Sequence, residues 1–209
     1  MSVIVRQERP FWRRIFAFAR DKVKEGKRAN SSEVALMGRL AEGDPDAAEK
    51  FVADHADALY RFVYHQVGGV VQDAEDIVQE TFLAAVRQAG RFRGQSRLRT
   101  WLFSIASHKV ADHWRRQRRY AELPLLTEQQ VADGGVTQEM SIEQMEMCQV
   151  VRQGLLHLPP HYRTALILRY VEGFSVAETA RVMQRSVKSV ESILVRARRK
   201  LAEVLRGVA

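Results

Sequence analysis

The chain has 209 residues and a mass of 23.9 kDa, which allows one large domain or two small ones. Hydrophobic residues make up 46% and charged residues 28%, so a disordered, collagen-like or purely coiled-coil chain is excluded. A formal net charge of +8 favours a polyanionic partner.

Cysteine usage and apolar runs indicate the compartment. Cys148 is the single cysteine, so a disulfide framework and a cysteine-based zinc site are excluded. The longest stretch without an acidic or basic residue, 62–72, is much shorter than the roughly 18 apolar residues that a transmembrane helix needs. Four arginines interrupt the apolar residues of positions 1–19, which argues against a signal peptide. We therefore expect a reduced, cytoplasmic protein.

Charge is segregated along the chain. Basic residues dominate positions 1–30, 108–120 and 185–200, whereas acidic residues dominate 41–80 and 121–149. A generic solvated surface is one explanation of these blocks, and several partners of different charge are the other. We favour several partners.

The first half of the chain has the apolar spacing of helices. Asp44 followed by Pro45 is typical of a helix start, and Gly68-Gly69 should end that helix. Asp73 is predicted to cap the next helix, whose apolar face would be Ile77, Phe82, Leu83 and Val86. Ser96 is predicted to cap a third, with apolar residues at Leu98, Trp101, Leu102 and Ile105.

The helical signal fades from about residue 121 to residue 144, where glycines, Pro124 and acidic residues indicate a linker. A further helical block begins near Met145, breaks at Pro159-Pro160 and ends at Gly173. We therefore predict an all-α protein made of two small helical domains joined by a flexible acidic linker. The predicted boundaries are a basic extension at 1–31, a first domain at 32–120, the linker at 121–144 and a second domain at 145–209.

The second domain contains a helix-turn-helix pattern. Ser175 and Glu178 form a capping box that opens a short helix. A turn at Gln184-Arg185 follows, and Ser186 is predicted to cap a long basic helix with Val187, Val190, Leu194 and Leu201 on its apolar side. An amphipathic core helix with a solvated basic face is the alternative interpretation.

Residues 158–201 carry a family resemblance through the segments LRYVEG (168–173) and SVESILVRARRKL (189–201). They resemble the −35-binding domain of bacterial RNA polymerase sigma factors, above all the extracytoplasmic-function (ECF) group, which keeps two of the family's domains. Gln184 departs from the pattern, because the family usually has glycine there. A left-handed backbone at a non-glycine residue costs about 1 kcal/mol.

The resemblance implies that the long basic helix binds the −35 element, with base contacts near its start and phosphate contacts further along. The expected contact residues lie on its polar face: Ser186, Lys188, Ser189, Ser192, Arg196, Arg198 and Arg199.

The segment DAEDIVQETF (73–82) carries carboxylates and an amide along one predicted helix. Acid–base catalysis or a metal site would need a nearby histidine or a second carboxylate helix, which the pattern does not supply. Favourable interaction with the helix dipole explains Asp73 and Glu75. The resemblance offers a third interpretation, in which Asp76, Gln79 and Glu80 dock on the clamp helices of the polymerase β′ subunit.

Downstream, FRGQSRL (92–98) and TWLFSIA (100–106) resemble the loop and helix that bind the −10 element in these sigma factors. Strand opening needs a pocket for an extruded base and a basic track for single-stranded phosphates. Trp101 fits a core position better than a stacking platform. The expected −10 contacts are Arg93, Ser96, Arg97, His108, Lys109, Asp112, Arg115, Arg116 and Arg119.

Residues 1–30 lie outside the resemblance. Their apolar rows and nine basic residues allow a membrane-surface helix, a regulatory arm or a disordered tail. A mis-assigned start codon is a fourth interpretation, because Met37 lies where many members of the family begin. We favour a regulatory arm.

The combined prediction is a sigma factor that binds core polymerase through the β′ clamp helices and the β flap, recognises promoter DNA and opens the −10 strand. The resemblance also implies an anti-sigma factor as a partner. The sequence suggests no enzyme activity, cofactor, metal or small-molecule substrate, since it contains no supporting motif. A stand-alone helix-turn-helix regulator is the alternative.

Overall fold

A computed structural model describes residues 31–121 and 142–208, except for the side chains of residues 118–121, 142–148 and 207–208. Every regular element in these ranges is helical, which confirms the predicted all-α class. The predicted basic extension, up to residue 30, and most of the predicted linker lie outside the described residues. Among the described helices, none has the length and apolar character needed to cross a membrane.

The N-terminal half, residues 31–121, contains α1 (Ser31–Ala41), α2 (Pro45–Gln66), α3 (Val71–Arg87), a 3-10 turn (Ala89–Arg91) and α4 (Leu98–Ala121). Phe51, Leu59 and Phe62 of α2 have no exposed surface. The Phe62 ring packs against Phe103 of α4 with 5.1 Å between centroids. The core of this half therefore forms where α2 meets its neighbours.

The start and the end of α2 are as predicted. The Asp44 carboxylate accepts hydrogen bonds from the backbone N–H groups of Asp46 and Ala47. The helix ends at Gln66, just before Gly68, which has a φ of 82°. That backbone conformation favours glycine, so the sequence places the end of the helix correctly.

Two predicted helix caps are wrong. α3 begins at Val71 with no side-chain cap, so Asp73 lies inside its first turn, where its charge still interacts favourably with the helix dipole. α4 begins at Leu98, and Ser96 lies too early to cap it. The Leu98 N–H donates instead to the Glu33 carboxylate of α1, at 3.3 Å.

The predicted apolar face of α3 is partly wrong. Leu83 and Val86 are 49% and 41% exposed, whereas Ala74, Ile77 and Ala85 are buried. Two of these buried residues are alanines, and short side chains allow neighbouring helices to lie close to α3. The larger aliphatic side chains therefore fall on its outer face.

The C-terminal half, residues 142–208, contains α5 (Ile142–Leu156), α6 (Pro160–Leu166), a π-helical turn (Ile167–Val171), α7 (Val176–Val182) and α8 (Val187–Val208). α5 crosses α8 closely at Gly154, where an added Cβ atom would lie 2.9 Å from the Leu205 side chain. A larger residue at this crossing would require the Leu205 side chain to shift.

The capping box of α7 is confirmed. The Glu178 N–H donates to Ser175 Oγ at 3.2 Å, and the Ser175 N–H donates to the Glu178 carboxylate at 2.9 Å. Each residue therefore satisfies a backbone donor of the other.

The two halves are in contact through α2. Arg152 of α5 donates to the Tyr64 hydroxyl at 2.8 Å, and Thr164 of α6 donates to the Gln66 side-chain oxygen at 3.3 Å. His65 lies between these contacts in the sequence. Burial, with help from the nearby charges of Arg152 and Arg61, lowers the pKa of His65 to about 4.

We predict that Ser175→Ala lowers the free energy of unfolding by about 1 kcal/mol, since α7 loses its N-cap. Ser96→Ala is the matched control, because the structure does not place Ser96 at a cap, and its effect should stay below about 0.5 kcal/mol. Urea denaturation measures both. Equal losses in the two variants would contradict the assignment of the caps.

The depressed pKa of His65 predicts loss of stability in acid. The unfolded chain takes up the proton first as the pH falls below about 6.5, so the free energy of unfolding should fall by at most about 1.4 kcal/mol per pH unit between pH 6.5 and 4. His65→Gln should remove this contribution, and His157→Gln, at an exposed histidine, should not. Denaturation curves from pH 7.5 to 5 test this, and an unchanged slope in His65→Gln would rule it out.

Candidate nucleic-acid and protein interfaces

The helix-turn-helix forms as predicted. Gln184 in the turn has a φ of 52°, a left-handed conformation that favours glycine, so the turn forms although its usual glycine is missing. Ser186 Oγ then accepts from the Ser189 N–H at 3.2 Å, which caps α8. Behind the turn, Ala180 and Val190 are buried where α7 and α8 cross.

The structure places all seven predicted −35 residues away from the core. Ser189 is half-buried, and six are exposed: Ser186, Lys188, Ser192, Arg196, Arg198 and Arg199. Val187, predicted on the apolar side, is 45% exposed, because the packed stripe begins one turn later at Val190. α8 thus presents a continuous polar and basic face.

Individual arginines on this face differ in their contacts. Arg196 Nε donates to the Ser192 carbonyl one turn earlier, at 3.2 Å, which leaves most of its guanidinium in solvent. Arg199 Nε instead lies 3.3 Å from the Glu203 carboxylate. Hydrogen bonds from Lys200 above all, and also from Arg199, lower the pKa of Glu203. Arg196 is therefore better placed than Arg199 to meet a phosphate.

The predicted −10 residues lie along the loop before α4 and on α4 itself. The Arg119 side chain is outside the described part of the structure. Half-buried positions are Ser96, Arg97 and Lys109, and exposed positions are Arg93, His108, Asp112, Arg115 and Arg116. Trp101 is half-buried against Phe92, with 5.4 Å between ring centroids, as expected for a core residue.

Several of these side chains already have partners. Arg115 forms an ion pair with Asp112 at 2.8 Å, and the Arg93 side chain donates to the Gly90 carbonyl at 3.0 Å. The partner of His108 belongs to the other half of the protein, since His108 Nε2 lies 2.8 Å from the Gln184 amide nitrogen.

The predicted docking residues of α3 divide between two faces. Asp76 and Gln79 are exposed on the outer face. Glu80 faces α4, where it lies 3.0 Å from Lys109 Nζ and 4.0 Å from Arg116. The hydrogen bond from Lys109 is the main cause of the lowered pKa of Glu80. The structure therefore brings Asp76 and Gln79 together and places Glu80 beside Lys109 and Arg116, two of the predicted −10 residues.

Sequence reasoning missed two members of the outer face of α3. Leu83 and Val86 follow Asp76 and Gln79 at helical spacing, and both are exposed. The spacing was visible in the sequence, but their apolar character suggested burial. The outer face is therefore acidic and polar at one end and apolar at the other. We call these four residues the α3 outer face.

A second missed feature is the ion pair between the halves. Arg99 at the start of α4 lies 2.7 Å from the carboxylate of Glu172, whose side chain has no exposed surface. Arg99 also donates to the Glu172 carbonyl at 2.8 Å. The two residues are 73 positions apart, so no local pattern indicates their contact.

A cleft of about 440 Å³ lies beside this ion pair. Charged residues from both halves line it, among them Glu33, Arg97, Arg99 and Glu178. Among the described residues, no group of three histidine, cysteine or acidic side chains could hold a metal ion. The cleft can therefore hold polar groups of either charge, and nothing in its lining favours a metal.

Family comparisons match both halves. Residues 51–120 match the family Sigma-70 region 2, and residues 148–201 match Sigma-70 region 4. The ECF RNA polymerase sigma factor BldN of Streptomyces coelicolor is 35% identical over 81% of this chain, which spans 64% of the length of BldN. The RNA polymerase sigma-H factor of Pseudomonas aeruginosa is 33% identical over 81% of this chain and 92% of its own length.

A solved structure shows the same architecture. The structure of CnrH in complex with the cytosolic domain of CnrY aligns with a TM-score of 0.63 at 27% identity. The alignment covers 86% of this chain and all of that chain, so it extends over both halves.

Proposed function

The chain belongs to the ECF group of bacterial RNA polymerase sigma factors, and we propose how its surfaces divide the work of transcription initiation. Sigma factors of this group bind core RNA polymerase and direct it to promoters, so promoter-specific initiation is the function of this chain. We assign polymerase binding and the −10 element to residues 32–120, and the −35 element to residues 145–209.

The α3 outer face is the proposed contact with the clamp helices of β′. Asp76 and Gln79 supply charge and hydrogen bonds, and Leu83 and Val86 supply apolar area. Interfaces that combine a buried apolar centre with polar surroundings bind specifically. This face is the observation that carries the proposal, because a stand-alone helix-turn-helix regulator has no need of it. The β flap is the proposed second contact of the polymerase, with the C-terminal half.

The basic side of α4 is the proposed −10 surface. Lys109, Arg115 and Arg116 form ion pairs with Glu80 or Asp112 in the free protein. Side chains paired in this way can change partners readily, because ion pairs near the surface contribute little stability. Phosphates of an opened strand would replace the carboxylates as their partners.

The outer side of α8 is the proposed −35 surface. Base edges would meet Lys188, Ser189 and Ser192 near the start of the helix, and phosphates would meet the arginines further along. We also propose that the chain acts in the cytoplasm, catalyses no chemistry itself and has an anti-sigma factor as a partner. The CnrH structure, a complex with the cytosolic domain of CnrY, supports that partner class.

The first functional prediction concerns the α3 outer face. Asp76→Ala combined with Gln79→Ala should weaken binding to core polymerase about tenfold, which corresponds to a loss of about 1.4 kcal/mol. Glu49→Ala combined with Gln95→Ala is the matched control, because it removes one exposed acid and one exposed amide of the same half that lie outside α3. Fluorescence anisotropy with labelled protein measures the dissociation constants. Equal affinities for both double variants, with unchanged circular dichroism, would disprove the docking assignment.

The second functional prediction concerns α8. Arg196→Ala should lower the slope of log affinity against log salt by about 0.9, the contribution of one phosphate contact on duplex DNA. Arg206→Ala is the control, since its Nε donates to the backbone carbonyl one turn earlier at 3.1 Å, as Arg196 does at 3.2 Å. If Arg196→Ala and Arg206→Ala give the same slope, Arg196 does not contact a phosphate of the DNA.

A further inference from the structure

The outer side of α2 is acidic and carries exposed apolar side chains. Asp46, Glu49, Ala53 and Asp57 are exposed, and their spacing of three, four and four residues places them on one face of the helix. Val52, which is 42% exposed, borders this face. We call these five residues the α2 outer face. Its three carboxylates form no ion pair among the described residues.

The basic side chains of α2 do not compensate these carboxylates. Lys50 forms an ion pair with Asp54 at 3.0 Å, and Arg61 lies 3.6 Å from the buried carboxylate of Glu172. Lys50 and Arg61 are the only lysine and arginine of α2, so both have partners outside the α2 outer face. The negative charge of this face is therefore available to a basic partner.

The described part of the N-terminal half begins beside this face. Ser32, in the first turn of α1, lines the cleft of about 440 Å³ together with Lys50 and Asp54 of α2. In the sequence, Lys50 follows Glu49 and Asp54 follows Ala53, so the cleft borders the α2 outer face. Residues 1–30 therefore join α1 next to the cleft and the α2 outer face.

The cleft also offers apolar surface. Leu36, Leu98 and Phe174 are among the residues that line it. The Arg99 guanidinium, which lines it as well, lies 4.5 Å from the centre of the Phe174 ring. A cleft of this volume can accept a large apolar or aromatic side chain, and burial of such a side chain contributes about 1.5–3 kcal/mol. The cleft thus adds apolar binding area to the charge of the α2 outer face.

Residues 1–30 have the complementary composition. They contain nine basic and three acidic side chains, a net charge of +6, and Phe11, Ile15 and Phe18 follow one another at spacings of four and three. A segment of 30 residues can span about 100 Å when extended, whereas the 22 residues of α2 are about 33 Å long. The segment is therefore long enough to reach every residue of the α2 outer face.

We propose that residues 1–30 dock on the α2 outer face and in the adjoining cleft of the same chain. Their basic side chains neutralise the three carboxylates, and their apolar side chains cover Val52 and enter the cleft. A partner tied to the same chain has a high effective concentration, so individually weak contacts are sufficient. Docking keeps these basic side chains away from membranes and from DNA. The inference does not depend on the proposed contacts with polymerase and promoter.

Paramagnetic relaxation measurements on the full chain test the docking. A nitroxide would be attached at Ala19→Cys in a Cys148→Ser background, because Cys148 is the single natural cysteine. Amide NMR signals would be compared before and after chemical reduction of the label. In the parent protein, the oxidised label should remove more than half of the signal intensity at Glu49 and Ala53. The amide spectrum itself shows whether each variant is folded.

Matched variants identify the charges responsible. Neutralisation of the face should restore at least half of the lost intensity, and so should neutralisation of three arginines of residues 1–30, which leaves the described residues unchanged. A control that removes three exposed carboxylates outside α2 should restore none of it. The three sets are Asp46→Asn, Glu49→Gln and Asp57→Asn for the face, Arg13→Gln, Arg14→Gln and Arg20→Gln for the segment, and Glu75→Gln, Glu191→Gln and Glu203→Gln for the control.

Two results would overturn the docking. One is an intensity at Glu49 and Ala53 that the label does not change in the parent protein. If vesicles of phosphatidylglycerol then bind the labelled segment, a membrane-surface helix replaces the docked segment as its interpretation. The other is equal restoration by the control and by the neutralised face, since the carboxylates of α2 would then have no specific part in the contact.

Discussion

Glu172 carries a carboxylate into the junction between the halves, and a charge in that position is stable only where an opposite charge meets it. The local backbone is shaped to place it there. The π-helical turn widens the helix, so that the Glu172 N–H bonds to the Ile167 carbonyl and the Phe174 N–H bonds to Leu168. Gly173, with a φ of 71°, then reverses the chain. The position of Phe174 on Arg99 follows from the same turn.

In the N-terminal half, carboxylates also pair with basic side chains. Glu80 and Asp112 neutralise basic side chains of α4 that the proposed function needs for DNA. Lysine and arginine can pair with a carboxylate or with a phosphate. These ion pairs therefore order the basic side chains and leave them able to bind a phosphate instead. The basic side of α4 is consequently less positive in the free protein than its lysine and arginines alone would make it. Exchange of partners on DNA would restore that positive charge where the strand lies.

Local chemistry made much of the fold predictable. Asp44, the Ser175–Glu178 box and Ser186 are caps whose partners lie two or three residues away. Each of these features depends on neighbours within one turn of helix. The family resemblance rested on the same local segments.

What could not be predicted depends on distant partners. The N–H at the start of α4 is satisfied by Glu33, 65 residues earlier, so Ser96 is not needed as a cap. Helical spacing showed that Leu83 and Val86 share a face with Asp76, but it could not show which face is buried. The buried face is the opposite one, because α2 and α4 pack against that side of α3. The junction between Arg99 and Glu172 joins residues from different halves and has no local signature.

Genome-wide mapping of transcription start sites tests the central claim most directly. Purified core polymerase would transcribe genomic DNA of the source bacterium with and without the full chain, and the 5′ ends of the transcripts would be sequenced. The account predicts a restricted set of new start sites that share one sequence near −35 and another near −10. Start sites that are the same with and without the chain would contradict its assignment as the promoter-specificity subunit.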